Sequence, residues 1–251
     1  QIYNMDCIEF LKQLDNKSVD MFFVDPPYGT THNKWDIIIP PEPMWEQIKR
    51  TAKPNTPILM FGLGLFTAQM ELSNSKWYKY NIVWEKTTPT GHLNAKKMPM
   101  RSHEDIMVFY DKPPTYNPQK TTGHIRKVSK AEHKANCIQT SNYGEHGLTT
   151  YDSTERYPTD VWKFSTDKQK IAWHPTQKPL ELCKYAIQTY SNLNDLIVDF
   201  CCGAGTIPQA ARLTGRQYIG CDNGTCGNPK NKFCDWKWAN VAKYRIENLN
   251  Y

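Results

Sequence analysis

Two short segments of this 251-residue chain combine an acid with a tight turn, and each follows an apolar run of strand length. Asp25-Pro26-Pro27-Tyr28 follows Met21-Phe22-Phe23-Val24. Asp199-Phe200-Cys201-Cys202-Gly203-Ala204-Gly205-Thr206 follows Leu196-Ile197-Val198. Each therefore places a carboxylate and a turn at the carboxyl end of a buried strand, the edge at which open α/β sheets bind ligands. Consecutive prolines fix two φ angles and offer no N–H. Pro26 and Pro27 thus make a stiff turn whose carbonyls are fixed acceptors. With the Asp25 carboxylate and the flat ring of Tyr28, such a turn can hold an exocyclic amine by both N–H groups while the ring stacks on the base. Acceptors on both N–H groups favour a pyramidal nitrogen and localise a lone pair otherwise spread into the aromatic ring. A carboxylate also stabilises positive charge that develops on nitrogen during group transfer.

The second segment has the chemistry of a nucleoside-holding loop. Gly203 and Gly205 lack a Cβ, which permits a tight turn and close approach of a ligand to the backbone. Asp222 follows 17 residues after Gly205, at the end of the next apolar run, Tyr218-Ile219-Gly220-Cys221, with Asn223 beside it. An acid in that place can accept hydrogen bonds from both ribose hydroxyls. Dinucleotide sites need a third glycine, where this chain has Pro208, and no lysine follows the glycines as in a phosphate-binding loop. The expected ligand therefore carries a ribose but no pyrophosphate, which S-adenosyl-L-methionine satisfies.

Elements that must position these residues are readable from apolar periodicity. Residues 5 to 15, 45 to 52, 65 to 72, 180 to 191, 206 to 213 and 236 to 249 read as helices. Residues 21 to 24, 57 to 62, 80 to 84, 106 to 110, 195 to 199 and 217 to 221 read as strands. The alternation predicts a mostly parallel sheet covered by helices. Between residues 112 and 163 the periodicity fades, and Lys112, Lys120, Arg126, Lys127, Lys130 and Lys134 meet a single acid, Glu132, before Cys137. A stretch of that length inside a compact domain is usually functional or disordered. It reads as an inserted recognition region, with Arg126, Lys127, Lys130 and Lys134 as candidate phosphate contacts.

Asp25 through Tyr28, then His174-Pro175-Thr176-Gln177-Lys178-Pro179, then Asp199 through Thr206 together resemble the β class of amino-group DNA methyltransferases. In that class the catalytic half precedes the cofactor half and target recognition lies between them, the order found here. The resemblance covers nearly all of the chain outside about 112 to 160. It implies a Rossmann-like S-adenosylmethionine-dependent methyltransferase sheet, mostly parallel with one antiparallel strand. It divides the chain into a catalytic half (1–111), an inserted target-recognition region (112–163) and a cofactor half (164–251). Asp25, Pro26, Pro27 and Tyr28 are then the target pocket. Asp6 with Cys7 contacts the cofactor adenine, Asp222 and Asn223 the ribose, and Thr176 and Lys178 the methionine end. Asp25, Asp199, Cys201, Gly203, Gly205 and Thr206 complete the cofactor site. The family pattern Asp-Pro-Phe-x-Gly-Ser-Gly-Thr departs here at Phe200, Cys201 and Ala204, and the segment from 222 to 235 is longer than usual.

Composition agrees with a polyanionic partner. The formal net charge is +6 and aromatics make up 12% of residues, a mix suited to phosphates and exposed bases. No apolar run approaches membrane-spanning length, and the first residues lack the pattern of a signal peptide. The eight cysteines are read as reduced thiols of a cytoplasmic protein. Cys221, Cys226 and Cys234 lack paired zinc-ligand spacing, so no metal is expected. The resulting reading is a site-specific DNA methyltransferase that acts on adenine N6 in double-stranded DNA by base flipping. A homodimer and a cognate restriction enzyme are open as further partners. The alternatives are cytosine-N4 methylation, RNA or protein amino-group methylation, and a degenerate methyltransferase fold that only binds DNA. Cytosine-C5 chemistry would need a Pro-Cys nucleophile, which the chain lacks.

Overall fold

The computed structural model describes residues 1–31, 33, 36–130, 150–166, 174, 176–225 and 235–248. The chain forms two compact units, residues 1–117 with 160–251, and residues 118–159. In the larger unit the described strands are β1 (Ile2–Tyr3), β2 (Met21–Val24), β3 (Ile58–Gly62), β4 (Tyr78–Thr90), β5 (Arg101–Phe109), β8 (Val161–Phe164), β9 (Leu196–Asp199) and β10 (Gln217–Cys221). They build one sheet in the order β1-β10-β9-β2-β3-β5-β4-β8. β5 runs antiparallel to β3 and β4, and every other pairing is parallel. The helices are α1 (Cys7–Gln13), α2 (Pro41–Thr51), α3 (Leu65–Ser73), α4 (Leu180–Tyr190), α5 (Thr206–Leu213) and α6 (Trp238–Asn248).

Continuous apolar runs become central strands because both faces of the sheet are covered. Alternate residues divide between two cores. Phe22, Val24, Ile58, Met60, Met107 and Phe109 join residues of α1, α2 and α3 on one face. Met21, Phe23, Leu59, Phe61, Ile106 and Val108 join residues of α4 and α5 on the other. A one-residue slip of any strand would exchange the two sets.

The position that matters most is the β2–β9 pair. These strands are parallel neighbours, with Met21 opposite Ile197 and Phe22 opposite Val198. From β2 the chain crosses to β3 on one side, and from β9 to β10 on the other. Strand order reverses there, which opens a crevice beyond the carboxyl ends. The Asp25 and Asp199 turns both leave the sheet at this crevice.

Three features were not legible as elements. β1 is two residues long, and β4 and β5 run well past the ends that apolar residues marked. β8 extends the sheet from within the segment 112–163, where Val161-Trp162 is too short to show a period. The smaller unit contains an antiparallel pair, β6 (Lys127–Ser129) with β7 (Tyr151–Ser153). Among the described residues, no helix is long and apolar enough to cross a membrane.

Gly205 has a structural reason that its sequence context did not reveal. It precedes α5 with φ +77°, and a Cβ on it would stand 2.7 Å from the Cβ of Ala242 and 3.0 Å from its Cα, on α6. Below it, the buried Arg245 guanidinium donates to Gln209 Oε1 at 2.6 Å and Thr206 Oγ1 at 2.8 Å, clamping α6 to α5. A Cβ on Gly203 (φ +48°) would instead meet the His174 ring at an ordinary 3.6 Å. Gly205→Val should therefore cost about 2–5 kcal/mol, overpacking and left-handed backbone together. Gly203→Ala should cost about 1 kcal/mol, from backbone alone. Urea denaturation of both variants checks the order, and equal losses would contradict it.

Candidate active site

The crevice is a cavity of about 710 Å³. Asp6, Cys7, Asp25, Pro26, Pro27, Tyr28, Thr176, Lys178, Asp199, Cys201, Gly203, Thr206, Asp222 and Asn223 all line it. Of the expected catalytic and cofactor residues, only Gly205 is absent from the wall. Its missing Cβ makes room for α6 rather than for a ligand.

At the β9 and β10 ends the geometry is set by carboxylates that take backbone N–H groups. Asp222 Oδ2 accepts from Gly203 N–H at 3.0 Å and Oδ1 from Gly224 N–H at 2.7 Å. Burial outweighs these bonds and holds the Asp222 carboxyl above its ordinary value. Each carboxylate oxygen has a second lone pair for a ligand hydroxyl. Asp199, 2% exposed, accepts from Cys201 N–H at 3.1 Å, and burial pushes its carboxyl well up. Asp6 caps α1 through Oδ1, which accepts from Ile8 and Glu9 N–H at 2.8 and 3.1 Å. The Cys7 and Cys201 thiols interact with each other, which lowers Cys7 and raises Cys201. The His174 ring lies 4.3 Å from Trp238, tilted by 57°, and its Nδ1 accepts from Thr176 N–H at 3.2 Å.

At the β2 end an unanticipated row of charges surrounds Asp25. Tyr28 Oη donates to Asp25 Oδ1 at 2.7 Å, and Lys178 Nζ donates to Oδ2 at 2.6 Å. Lys178 also lies 3.3 Å from Glu104 Oε2, and Lys86 Nζ donates to Glu104 Oε1 at 2.5 Å. The Lys86 and Lys178 side chains are only 6% and 8% exposed. Two cations and two carboxylates thus alternate in a nearly dry row, with Lys178 also 4.9 Å from the centre of the Phe61 ring. Burial would lower the Lys178 ammonium, but Asp25 and Glu104 outweigh it and hold the group above its ordinary value. Burial acts to raise Glu104, yet Lys178 and Lys86 keep it below. For Asp25 burial wins over Lys178, with Glu104 adding to it, and the carboxyl stays above the ordinary range. Burial and the Asp25 charge push the Tyr28 phenol well up, so it remains a neutral donor. Its ring lies 5.0 Å from Phe66, tilted by 31°.

Lys178, expected at the methionine end of a cofactor, therefore has its ammonium on Asp25. Glu104 and Lys86 carried no motif, and both lie beyond the strands read from apolar residues at 106–110 and 80–84. Asp36 was likewise missed. It accepts from Gly29, Thr30 and Thr31 N–H at 2.8, 2.9 and 2.7 Å and braces the chain that follows Tyr28. Burial opposes but does not overcome those bonds, and its carboxyl sits below the ordinary value.

In the smaller unit Arg126 makes a two-point pair with Asp152, at 2.7 and 2.6 Å. Lys127 and Lys130 are exposed. Lys134 lies outside the described residues, as do Cys226 and Cys234. Among the described residues no cluster of three or more His, Cys, Asp or Glu could hold a metal ion.

Removing Lys178 would leave two buried carboxylates facing each other. Lys178→Met should cost about 3–5 kcal/mol at pH 7. Both carboxyls would then titrate above their unfolded values, so the native protein binds protons that the unfolded chain has released. The penalty should shrink as pH falls toward the ordinary carboxylate range and grow as pH rises through it. Urea unfolding at pH 7 and pH 5 tests this. A loss identical at both would mean lost packing alone.

A profile of the family described as DNA methylase matches residues 19–225. The type II methyltransferase M1.MboII of Moraxella bovis is 27% identical over 241 residues, covering 88% of this chain and 91% of its own. Among solved structures, the M1.HpyAVI–SAM complex superposes with a TM-score of 0.61 at 22% identity over 98% of each chain. The PvuII DNA methyltransferase, named as cytosine-N4-specific, gives 0.62 at 11% identity over 99% of this chain and 93% of that one. At such identities the two structures show a shared fold.

Proposed function

This chain belongs to the DNA methylase family, and from that premise we propose that it transfers a methyl group from S-adenosyl-L-methionine to adenine N6 in double-stranded DNA. The observation that carries the proposal is the meeting, in one cavity, of the Asp25–Tyr28 turn with the Asp199 and Asp222 loops. The cavity is lined by Asp6, Asp25, Asp199 and Asp222, a set of acceptors suited to a sulfonium cation with a ribose. Asp222 and Asn223 would hold the ribose, Asp6, Cys7 and Cys201 the adenine, and Thr176, Gly203 and Thr206 the methionine end. When bound, that cofactor supplies an activated methyl group.

The remaining chemistry falls to the chain itself. A target base must leave the duplex stack, at a cost of a few kcal/mol, roughly. Stacking on the Tyr28 ring would return about 1–3 kcal/mol. Phe66 and the bond to Asp25 keep that ring in one orientation. The free lone pairs of Asp25 and a carbonyl of the proline turn would accept the two N–H groups of the amine. As nitrogen gains positive charge, the Asp25 carboxylate stabilises it in a water-poor site. Its raised proton affinity suits it to take the proton that nitrogen loses. Lys178 keeps the carboxylate pointed at the cavity.

Adenine is chosen because, in the β-class resemblance, Asp at the first motif position goes with adenine N6 and Ser with cytosine N4. Residues 112–163 are proposed as the target-recognition region, with Lys127, Lys130 and Lys134 on phosphates. Arg126 would join them only by exchanging Asp152 for a phosphate. A DNA substrate supports reading the protein as cytoplasmic. A cognate restriction enzyme is supported by the type II name of the Moraxella relative, and a homodimer completes the proposed partners. Digesting treated DNA to nucleosides and weighing the products should yield N6-methyladenine. N4-methylcytosine alone would move the assignment to the other base.

A further inference from the structure

β4 and β5 continue beyond the catalytic pocket as a hairpin whose residues 87 to 103 are exposed at every position. From residue 86 to 103 the chain carries Lys86, His92, Lys96, Lys97, Arg101 and His103 and no acid. Lys86 is held by Glu104. Lys96, Lys97 and Arg101 make no ion pair among the described residues. Apolar side chains are interleaved with these cations, Leu93 at 87%, Met98 at 54% and Met100 at 39% exposure. A basic strip with no acid and with projecting apolar groups complements a phosphate backbone with bases or sugars beside it.

Its place in the fold argues the same way. The hairpin springs from Glu104 and Lys86, which the Lys178 ammonium joins to Asp25. Arg101 lies three residues from Glu104, about 10 Å along a strand, and the turn lies further out. The cations therefore project from the rim of the pocket that would receive the target base, where the flanking backbone must pass. A hairpin loaded by DNA would also bear directly on the charge row that orients Asp25.

We propose that residues 87 to 103 are a DNA-docking hairpin. Lys96, Lys97 and Arg101 contact phosphates flanking the target, and Leu93 packs against the duplex where the target base has left the stack. The inference rests on the DNA-methylation reading. It adds a surface in the catalytic half, distinct from the recognition region.

The test uses the full chain and a duplex it methylates, with binding measured across a salt series. Replacing Lys96, Lys97 and Arg101 together by Gln should flatten the slope of log affinity against log salt by about 2.7, roughly 0.9 per lost contact. Affinity for S-adenosyl-L-methionine should not change, because none of the three residues lines the cavity. The single Lys97→Gln variant should flatten the slope by about 0.9, which keeps the inference testable if the triple variant folds poorly. Leu93→Ser should leave the slope alone but reduce the fluorescence gain of 2-aminopurine at the target position. A triple variant with wild-type slope and affinity, while the wild type methylates the duplex, would overturn the hairpin assignment and leave the methylation reading standing. A wild type that neither binds nor methylates duplex DNA would overturn both.

Discussion

The contact between the Lys178 ammonium and the Asp25 carboxylate joins the two halves of the chain where the chemistry is placed. The residues are 153 positions apart and meet at 2.6 Å in a nearly dry site. A buried ion pair stabilises a fold only when its remaining valences are filled, since removing charges from water costs more than one contact returns. Here Tyr28 fills one place on Asp25, and Glu104 with Lys86 balances the row to zero net charge. The row therefore constrains much else. It fixes the Asp25 rotamer, keeps Tyr28 neutral, and ties β4 and β5 to the segment that leads into α4.

That constraint explains how the site can serve transfer to a poor nucleophile. A lone buried Asp would tend to protonate and lose its value as an acceptor. Lys178 opposes that protonation, but burial still outweighs it, and Glu104 on the far side of the lysine adds to the rise. Asp25 can then be ionised yet more basic than an exposed carboxylate, which suits a group that first supports positive charge on nitrogen and then accepts a proton.

The sequence made the local parts visible. Apolar runs of four or five residues, a double proline and a pair of glycines each report on neighbours within a few positions. From these, the β2 and β9 ends could be placed, while their adjacency at the switch point is a pairing that only the structure shows. What stayed hidden depends on residues far apart. Nothing near Gly205 says that Ala242 stands against it, so its lack of a side chain looked like room for a ligand. Glu104 and Lys86 have no spacing relative to each other or to Asp25 that a linear pattern could show. Arg126 looked like a free cation because its partner, Asp152, lies across a strand pairing from it. β8 joined the sheet on the strength of a neighbour, β4, rather than any period of its own.

The central claim is that Asp25 acts on the amine during transfer and leaves cofactor binding to the other half of the cavity. Single-turnover methyl transfer to duplex DNA by Asp25→Asn, with S-adenosyl-L-methionine affinity measured calorimetrically on the same protein, tests it most directly. The account predicts a transfer rate at least about a hundredfold below wild type, the usual loss when one charge-stabilising group is removed, with cofactor affinity nearly unchanged. A variant that transfers methyl groups at close to the wild-type rate would contradict it.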